Sequence, residues 1–166
     1  MKTVFLGSAL LLAISFPVLA AEKDLYGTWK MVSQSQKLLD TGEIRMGRGD
    51  VPNGYMTYSP DGRVIGVITS DKRPKPESVA KMSDQQRIEL FNSMNAYAGT
   101  FKLEGNKLTR RYDVTHNEVT DRAALGEIKI EGRKLTMVNE PARATKDGKR
   151  VQTTTVWEKV QAPAKK

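Results

Sequence analysis

The chain has 166 residues, no cysteine, a single histidine, and 27 Lys and Arg against 19 Asp and Glu, which gives a formal net charge of +8. Lack of cysteine excludes disulfides, a cysteine nucleophile and a lipid attached through an N-terminal cysteine, and one imidazole cannot build a multi-histidine metal site. Basic residues are scattered in small groups at loops and turns, whereas the basic residues of a nucleic-acid interface are expected to cluster on one element. We therefore expect a solvated basic surface and no nucleic-acid partner.

The first twenty residues have the pattern of a secretory signal peptide. Lys2 provides a positive start, Val4 to Val18 is mostly apolar, and the segment ends in the small residue Ala20. A retained transmembrane anchor is the alternative, but Gly7 and Pro17 interrupt the run, which is shorter than the roughly 20 apolar residues that span a bilayer. We expect cleavage after Ala20, a secreted or periplasmic location, and no transmembrane segment in the mature chain.

The remaining 146 residues have the length of one domain. We assign residues 21–160 to that domain and residues 161–166, which are small and polar, to a disordered tail. A Gly27-x-Trp29 element stands at the first strand-like segment, where glycine permits close backbone approach and an indole can plug the end of a barrel. A surface turn followed by an ordinary core tryptophan is the alternative.

The clearest hairpin joins residues 54–58 to residues 63–69 through the turn Ser59-Pro60-Asp61-Gly62. If Tyr58 pairs with Arg63, Met56 shares one face with Ile65 and Val67. Tyr55, Thr57, Val64 and Ile68 then share the other face. Both faces are substantially apolar, so we expect this hairpin to be covered on both sides.

A single helix over about residues 83–97 is expected after the polar connection at 71–81. Ser83 and Gln86 have the spacing of a capping box, and Ile88, Phe91 and Met94 follow at intervals of three to four. The polar face is mixed rather than Lys-rich, which favours packing against the rest of the domain over a membrane or partner helix.

Strand-like segments and turns then follow at the spacing of a meander. They are residues 97–104, 107–116, 123–131, 134–139 and 150–160. About eight strands in all indicate an antiparallel barrel or sandwich. An eight-stranded barrel is wide enough to hold one small ligand.

Four segments in the same order resemble the bacterial and fungal lipocalin-like domain family: residues 25–33 with Gly27-Thr28-Trp29, residues 54–63, residues 96–101 and Val156-Trp157-Glu158. The resemblance implies an all-β, antiparallel up-and-down barrel of about eight strands with one inserted helix. It gives Gly27, Trp29 and Trp157 a structural role in closing the barrel. Family members often carry a histidine and an arginine where this chain has Arg110 and Gly126.

Aromatic side chains on the predicted strands are candidates for lining a cavity, with a filled core as the alternative. The candidate ligand-binding residues are Tyr55, Tyr58, Tyr97, Phe101 and Tyr112. Arg110 joins them because it lies in an alternating strand and can meet an anionic head group if it faces inward. Outward exposure is the alternative for Arg110.

No catalytic motif is present. The lone His116 is a candidate acid or base together with Asp113 and Glu118, but the serines lack a nucleophile elbow and no phosphate-cradling loop is found around Gly47-Arg48-Gly49. We assign no catalytic residue, no metal ligand and no cofactor. The sequence favours a monomeric barrel that binds or carries a small, mainly hydrophobic or amphipathic molecule. An enzyme acting on a metabolite in the same cavity and a non-catalytic envelope interaction or stress protein remain the alternatives.

Overall fold

The computed structural model of the protein describes residues 20–120, 123–144 and 147–161. Within these residues the chain forms strands, two short α-helices and a 3-10 turn at Val79–Lys81. In chain order the helices and strands are α1 (Glu22–Leu25), β1 (Gly27–Leu38), β2 (Ile44–Met46), β3 (Asn53–Tyr58), β4 (Arg63–Thr69), α2 (Asp84–Asn92), β5 (Met94–Glu104), β6 (Lys107–Thr115), β7 (Ala123–Glu131), β8 (Lys134–Asn139), β9 (Ala142–Arg143) and β10 (Arg150–Lys159). The predicted signal peptide, except Ala20, and most of the predicted tail lie outside the described residues. No described helix has the length and apolar character needed to cross a membrane.

Eight of the strands close into an antiparallel barrel. Neighbouring strands pair in the order β1-β3-β4-β5-β6-β7-β8-β10, and β10 pairs again with β1. The short strands β2 and β9 pair with the second half of β1 and the start of β10, so both lie at one rim of the barrel. The predicted fold class is confirmed.

A bulge in β1 changes which side chains face the interior. Trp29 and Met31 are buried before it, and the pairing with β10 shifts between Met31 and Ser33. Beyond the bulge, Gln34 and Gln36 are the residues that line the interior. The extra residue at the bulge moves the inward positions of β1 from odd to even residue numbers. The part of β1 nearest the rim therefore presents amide side chains to the interior.

The end of the barrel opposite to this rim is closed by α1 and a packed core. The Trp29 indole is fully buried and donates a hydrogen bond of 2.7 Å to the Leu25 carbonyl, while the Lys159 ammonium lies 5.1 Å from the Trp29 ring. Trp157 is also buried, and its indole donates to the Thr155 hydroxyl at 2.9 Å. These contacts satisfy both indole N–H groups inside the core.

The predicted pairing of the β3–β4 hairpin is wrong by one residue. Tyr58 pairs with Val64, and the Ser59 amide donates to the Arg63 carbonyl at 2.9 Å. Because side chains alternate along a strand, this shift exchanges the two faces of β4 relative to β3. The inward side chains are Met56, Tyr58, Val64 and Ile68.

The outer face of this hairpin is not covered by any described part of the chain. Tyr55, Ile65 and Val67 are 48%, 56% and 49% exposed. The expectation that both faces are covered is therefore also wrong.

The inserted helix begins where the sequence indicates and ends earlier. The capping box is confirmed: the Gln86 amide donates to the Ser83 hydroxyl at 3.2 Å and the Ser83 amide donates to the Gln86 side chain at 3.0 Å. α2 ends at Asn92 rather than near residue 97, because residues 94–100 pair with β4 along its whole length. Strand pairing therefore overrides the helical spacing of Met94.

Candidate functional site

A cavity of about 1120 Å³ opens at the barrel rim. Its volume is slightly above the range of about 300–1,000 Å³ that is usual for small-molecule sites. It is lined by the second half of β1, the loop after β2, α2, and the rim ends of β5, β6 and β7. The loops and α2 thus frame an entrance, and the strands form the walls.

Two tyrosines form part of the cavity wall, next to the packed core of the barrel. The rings of Tyr97 and Tyr112 lie 4.6 Å apart between centroids at an angle of 43°, and Tyr97 is 7% exposed. The Tyr97 hydroxyl donates to the Met56 sulfur at 3.3 Å. Gly66 on β4 makes room for this ring, because a Cβ at that position would lie 2.5 Å from Tyr97 Cζ.

Both buried phenols near the cavity are held in the neutral form. Burial raises the pKa of Tyr97 to about 12, although nearby Arg110 acts to lower it. Burial likewise raises the pKa of Tyr58 above its ordinary value. Neither group can supply a phenolate at neutral pH, so both act as neutral hydrogen-bonding groups.

Arg110 is a buried cation at the level just below the cavity. It pairs with Phe101 on β5 and Ala124 on β7, and it is 6% exposed. Its Nη2 donates to the Asn139 side-chain oxygen at 2.8 Å, whereas its Nε is buried with no acceptor among the described residues. Tyr112, the next inward side chain on β6, lines the cavity directly above it.

The charge of Arg110 is maintained in this setting. Burial acts to lower the pKa of the guanidinium, the neighbouring tyrosines, Tyr112 foremost, act to raise it, and the net pKa lies above the ordinary arginine value. No described carboxylate forms an ion pair with Arg110. The barrel therefore holds a positive charge that the described chain does not neutralise.

Arg48 is a second arginine that lines the cavity, in the loop between β2 and β3. Its Nε is buried and has no acceptor among the described residues. Burial lowers its pKa, with an opposing effect of Tyr97, but an arginine remains protonated at neutral pH.

The loop that carries Arg48 is fixed by the Asp71 carboxylate. Asp71 Oδ2 accepts hydrogen bonds from the amides of Asp50 at 2.9 Å and Val51 at 3.5 Å. Gly49 has φ +80° and lies against the same carboxylate, where a Cβ would collide with it. Asp71 is therefore engaged by the loop backbone.

Two further contacts fasten the rim. Arg45 donates to both carboxylate oxygens of Asp147, at 2.5 and 3.2 Å, and so joins β2 to the turn before β10. Arg73 donates to the Ser93 hydroxyl and the Leu90 carbonyl, both at 2.9 Å, and so attaches the end of α2 to the segment after β4. The entrance is thus held on both sides by arginines.

The predicted ligand-binding residues separate into three groups. Tyr97 and Tyr112 line the cavity. Tyr58 and Phe101 pack edge to face below it, with ring centroids 4.8 Å apart, in the same buried layer as Arg110. Tyr55 lies on the outer face, which corrects the prediction that it lines the interior; Tyr55 and Tyr58 are three residues apart on one strand, so they face opposite sides.

Sequence reasoning missed the polar part of the site. Arg48, Gln34 and Gln36 line the cavity but were not among the predicted site residues. The glycines on both sides of Arg48 indicate a special loop conformation, but no helix opens behind them as it does in a phosphate-binding loop, so the sequence assigns no ligand to Arg48. The inward position of the two glutamines depends on the β1 bulge, for which the sequence carries no local signal.

The candidate acids and bases are dispersed. Asp113 lies on the outer face, accepts a hydrogen bond from Arg63 at 2.8 Å, and this bond lowers the pKa of Asp113. His116 lines the cavity, where its Nδ1 accepts from the Ala96 amide at 3.4 Å and its ring lies 5.0 Å from Phe91. Glu118 is exposed. Within the described ranges, no group of three metal-ligating side chains is found.

Comparison with known proteins identifies one family. The model of the lipocalin-like domain matches residues 26–160, a range that includes every strand of the barrel. No curated protein matches the chain.

Proposed function

We propose, from the fact that the chain belongs to the lipocalin-like domain family, that the protein binds or carries a small amphipathic molecule in the cavity at the rim of its barrel. The observation that carries the proposal is the cavity of about 1120 Å³ with Tyr97 and Tyr112 in its wall. Tilted aromatic rings offer flat apolar area, and neutral phenols offer hydrogen bonds that orient a ligand.

The mixed lining supports an amphipathic ligand rather than a purely hydrophobic one. Apolar contact is available from Ile88 and Phe91 of α2 and from Met94 at the start of β5, while Gln34 and Gln36 of β1 offer amide groups. Apolar contact contributes about 25 cal/mol per Å² buried, less the costs of binding. The amides then discriminate between ligands by hydrogen bonding.

Export to the periplasm or the extracellular space is part of the proposal. Its support is the sequence of residues 1–20, with a positive start, an apolar run and a small residue at the end. Mass spectrometry of the protein recovered from its native compartment would give an N-terminus at Ala21. An N-terminus at Met1 would contradict export by cleavage.

The binding proposal is tested by extraction of the purified protein with organic solvent and mass spectrometry of the extract. A matched pair of variants makes the test specific: Ala124→Trp places an indole in the cavity, whereas Ala98→Trp places it on the outer face between Ile65 and Val114. We expect a bound compound in the wild type and in Ala98→Trp, and its loss in Ala124→Trp.

Folding of each variant is checked by far-ultraviolet circular dichroism and thermal unfolding. Retention of the compound by folded Ala124→Trp would show that the compound binds outside the cavity. An empty wild-type protein that also fails to take up added aromatic and alkyl amphiphiles would overturn the proposal.

A further inference from the structure

We infer that the cavity selects ligands that carry an anionic group, a carboxylate, sulfonate or phosphate, which Arg48 contacts directly while the buried Arg110 adds a second positive charge from below. This inference rests on the proposed small-molecule binding. It goes further by naming the chemistry of the ligand and the residue that recognises it.

Arg48 is held in a position where it can bind a ligand group inside the cavity. Its loop is held by the two backbone amides that donate to Asp71, and Gly49 provides the conformation that lets the loop pass this carboxylate. Its buried Nε–H has no acceptor among the described residues. A buried donor without an acceptor is costly, and an anionic oxygen would supply the missing partner.

The aspartates nearest to Arg48 are engaged by other groups. Asp71 is bound by the loop amides, and Asp147 is bound by Arg45. The cavity lining contains the cations Arg45, Arg48, Lys72 and Arg73 and the anions Asp71 and Glu89. Arg45 and Lys72 form ion pairs with Asp147 and Asp50, which lie outside the lining. Arg73 donates to Ser93 and Leu90, so among the described residues Arg48 is the lining cation whose side chain is left for an anion.

Arg110 strengthens the same preference from beneath the cavity. Its guanidinium donates to the neutral side chain of Asn139, and the phenols of Tyr58 and Tyr97, which lie close enough to influence its pKa, stay protonated at neutral pH. An isolated buried charge is unfavourable unless it is compensated. A bound anion above Tyr112 would offset this cost without needing direct contact.

The experiment compares two fluorescent probes with the same rings. Anilinonaphthalene sulfonate carries a sulfonate, and phenylnaphthylamine is the same skeleton without it. Titration of the full mature chain at fixed ionic strength gives both dissociation constants, and Ala124→Trp defines the signal that comes from the cavity. We expect the sulfonate probe to bind about tenfold more tightly, the gain of one charge-assisted hydrogen bond.

Arg48→Gln is expected to remove this preference, with little change in binding of the neutral probe. Arg110→Gln is expected to reduce it as well. The matched control is Arg111→Gln, which makes the same charge change on the same strand at an exposed, outward position and should keep the preference. Arg48 lies in a rim loop, so its variant keeps the test decisive even if Arg110→Gln does not fold.

The outcomes separate the two proposals. If neither probe, nor any added amphiphile, gives an Ala124→Trp-sensitive signal, the proposed function fails and the inference fails with it. If both probes bind equally, or if folded Arg48→Gln retains the preference, only the anion inference is overturned. Displacement of the sulfonate probe by decanoate or by decyl phosphate, with decanol as the neutral control, then tells which anionic group the cavity prefers.

Discussion

Arg110 on β6 reaches across the inner face of β7 to donate its Nη2 hydrogen bond to Asn139 on β8, at 2.8 Å. The strand between them carries Gly126 at the crossing point, paired with both Leu108 and Asn139. A Cβ at Gly126 would lie 3.1 Å from the Asn139 oxygen and 2.8 Å from the Val138 carbonyl. The absence of a side chain on β7 therefore gives the buried guanidinium access to its neutral partner.

Loss of Asn139 is expected to destabilise the protein because the buried charge loses its acceptor. We expect Asn139→Leu to lower the free energy of unfolding by about 1.5–3 kcal/mol in urea titrations. The double variant Arg110→Met/Asn139→Leu should recover most of this loss, since an apolar pair replaces a buried charge without leaving a polar group unpaired.

Arg111→Met serves as the control for these variants. Its free energy of unfolding is expected to change by no more than about 0.5 kcal/mol, because the Arg111 side chain is exposed. A double variant as unstable as Asn139→Leu alone would show that the cost does not come from Arg110.

Gly66→Ala is expected to displace the Tyr97 ring. The added Cβ would lie within 3.0 Å of three atoms of the ring, at 2.5, 2.7 and 2.9 Å. Overpacking of this kind costs about 1–3 kcal/mol. Thermal unfolding should show the loss in the wild-type background and a smaller loss in a Tyr97→Leu background, where the ring is absent. Equal losses in both backgrounds would place the strain elsewhere in β4.

Local sequence rules predicted the elements that depend on local chemistry. The Ser83–Gln86 capping box fixes the start of α2 because both of its hydrogen bonds form within four residues. The Gly27-x-Trp29 element marks the first barrel strand: β1 begins at Gly27, and the Trp29 indole is fully buried and donates to the Leu25 carbonyl of α1. Closure of the strands into a barrel is implied by the family resemblance, because no single segment encodes it.

The candidate site was predicted less well because it depends on non-local pairing. The inward positions of Gln34 and Gln36 follow from the β1 bulge, which is set by the residues of β10 that pair across the sheet. The outward position of Tyr55 follows from alternation along β3 once Tyr58 is placed inside. Arg48 enters the cavity because Asp71, more than twenty positions later, holds its loop.

The titration of Tyr97 gives a pH dependence in the alkaline range. Its folded-state pKa of about 12 exceeds the unfolded value of about 10. The folded protein therefore holds this proton more tightly, and the resulting stability is fully present below pH 10 and is lost as the pH rises through 12. The difference in tyrosinate absorbance between the wild type and Tyr97→Phe should show a step near pH 12. A difference step near pH 10 would mean that Tyr97 is hydrated.

The Arg45–Asp147 pair makes stability depend on pH in the opposite direction to Tyr97, and it does so in the acid range. Hydrogen bonding from Arg45 lowers the pKa of Asp147 to about 2, below the unfolded value of about 3.9. Its contribution to stability is therefore present above about pH 4 and is lost as the pH falls through 2. Arg45→Gln should return the pKa of Asp147 towards its ordinary value, as measured by carboxyl carbon chemical shifts. Arg143→Gln is the matched control, because Arg143 donates to the Gly148 carbonyl in the same turn and not to Asp147. An Asp147 pKa that stays near 2 in Arg45→Gln would show that the amide of Lys149, which also donates to this carboxylate at 3.2 Å, is its main stabilising contact.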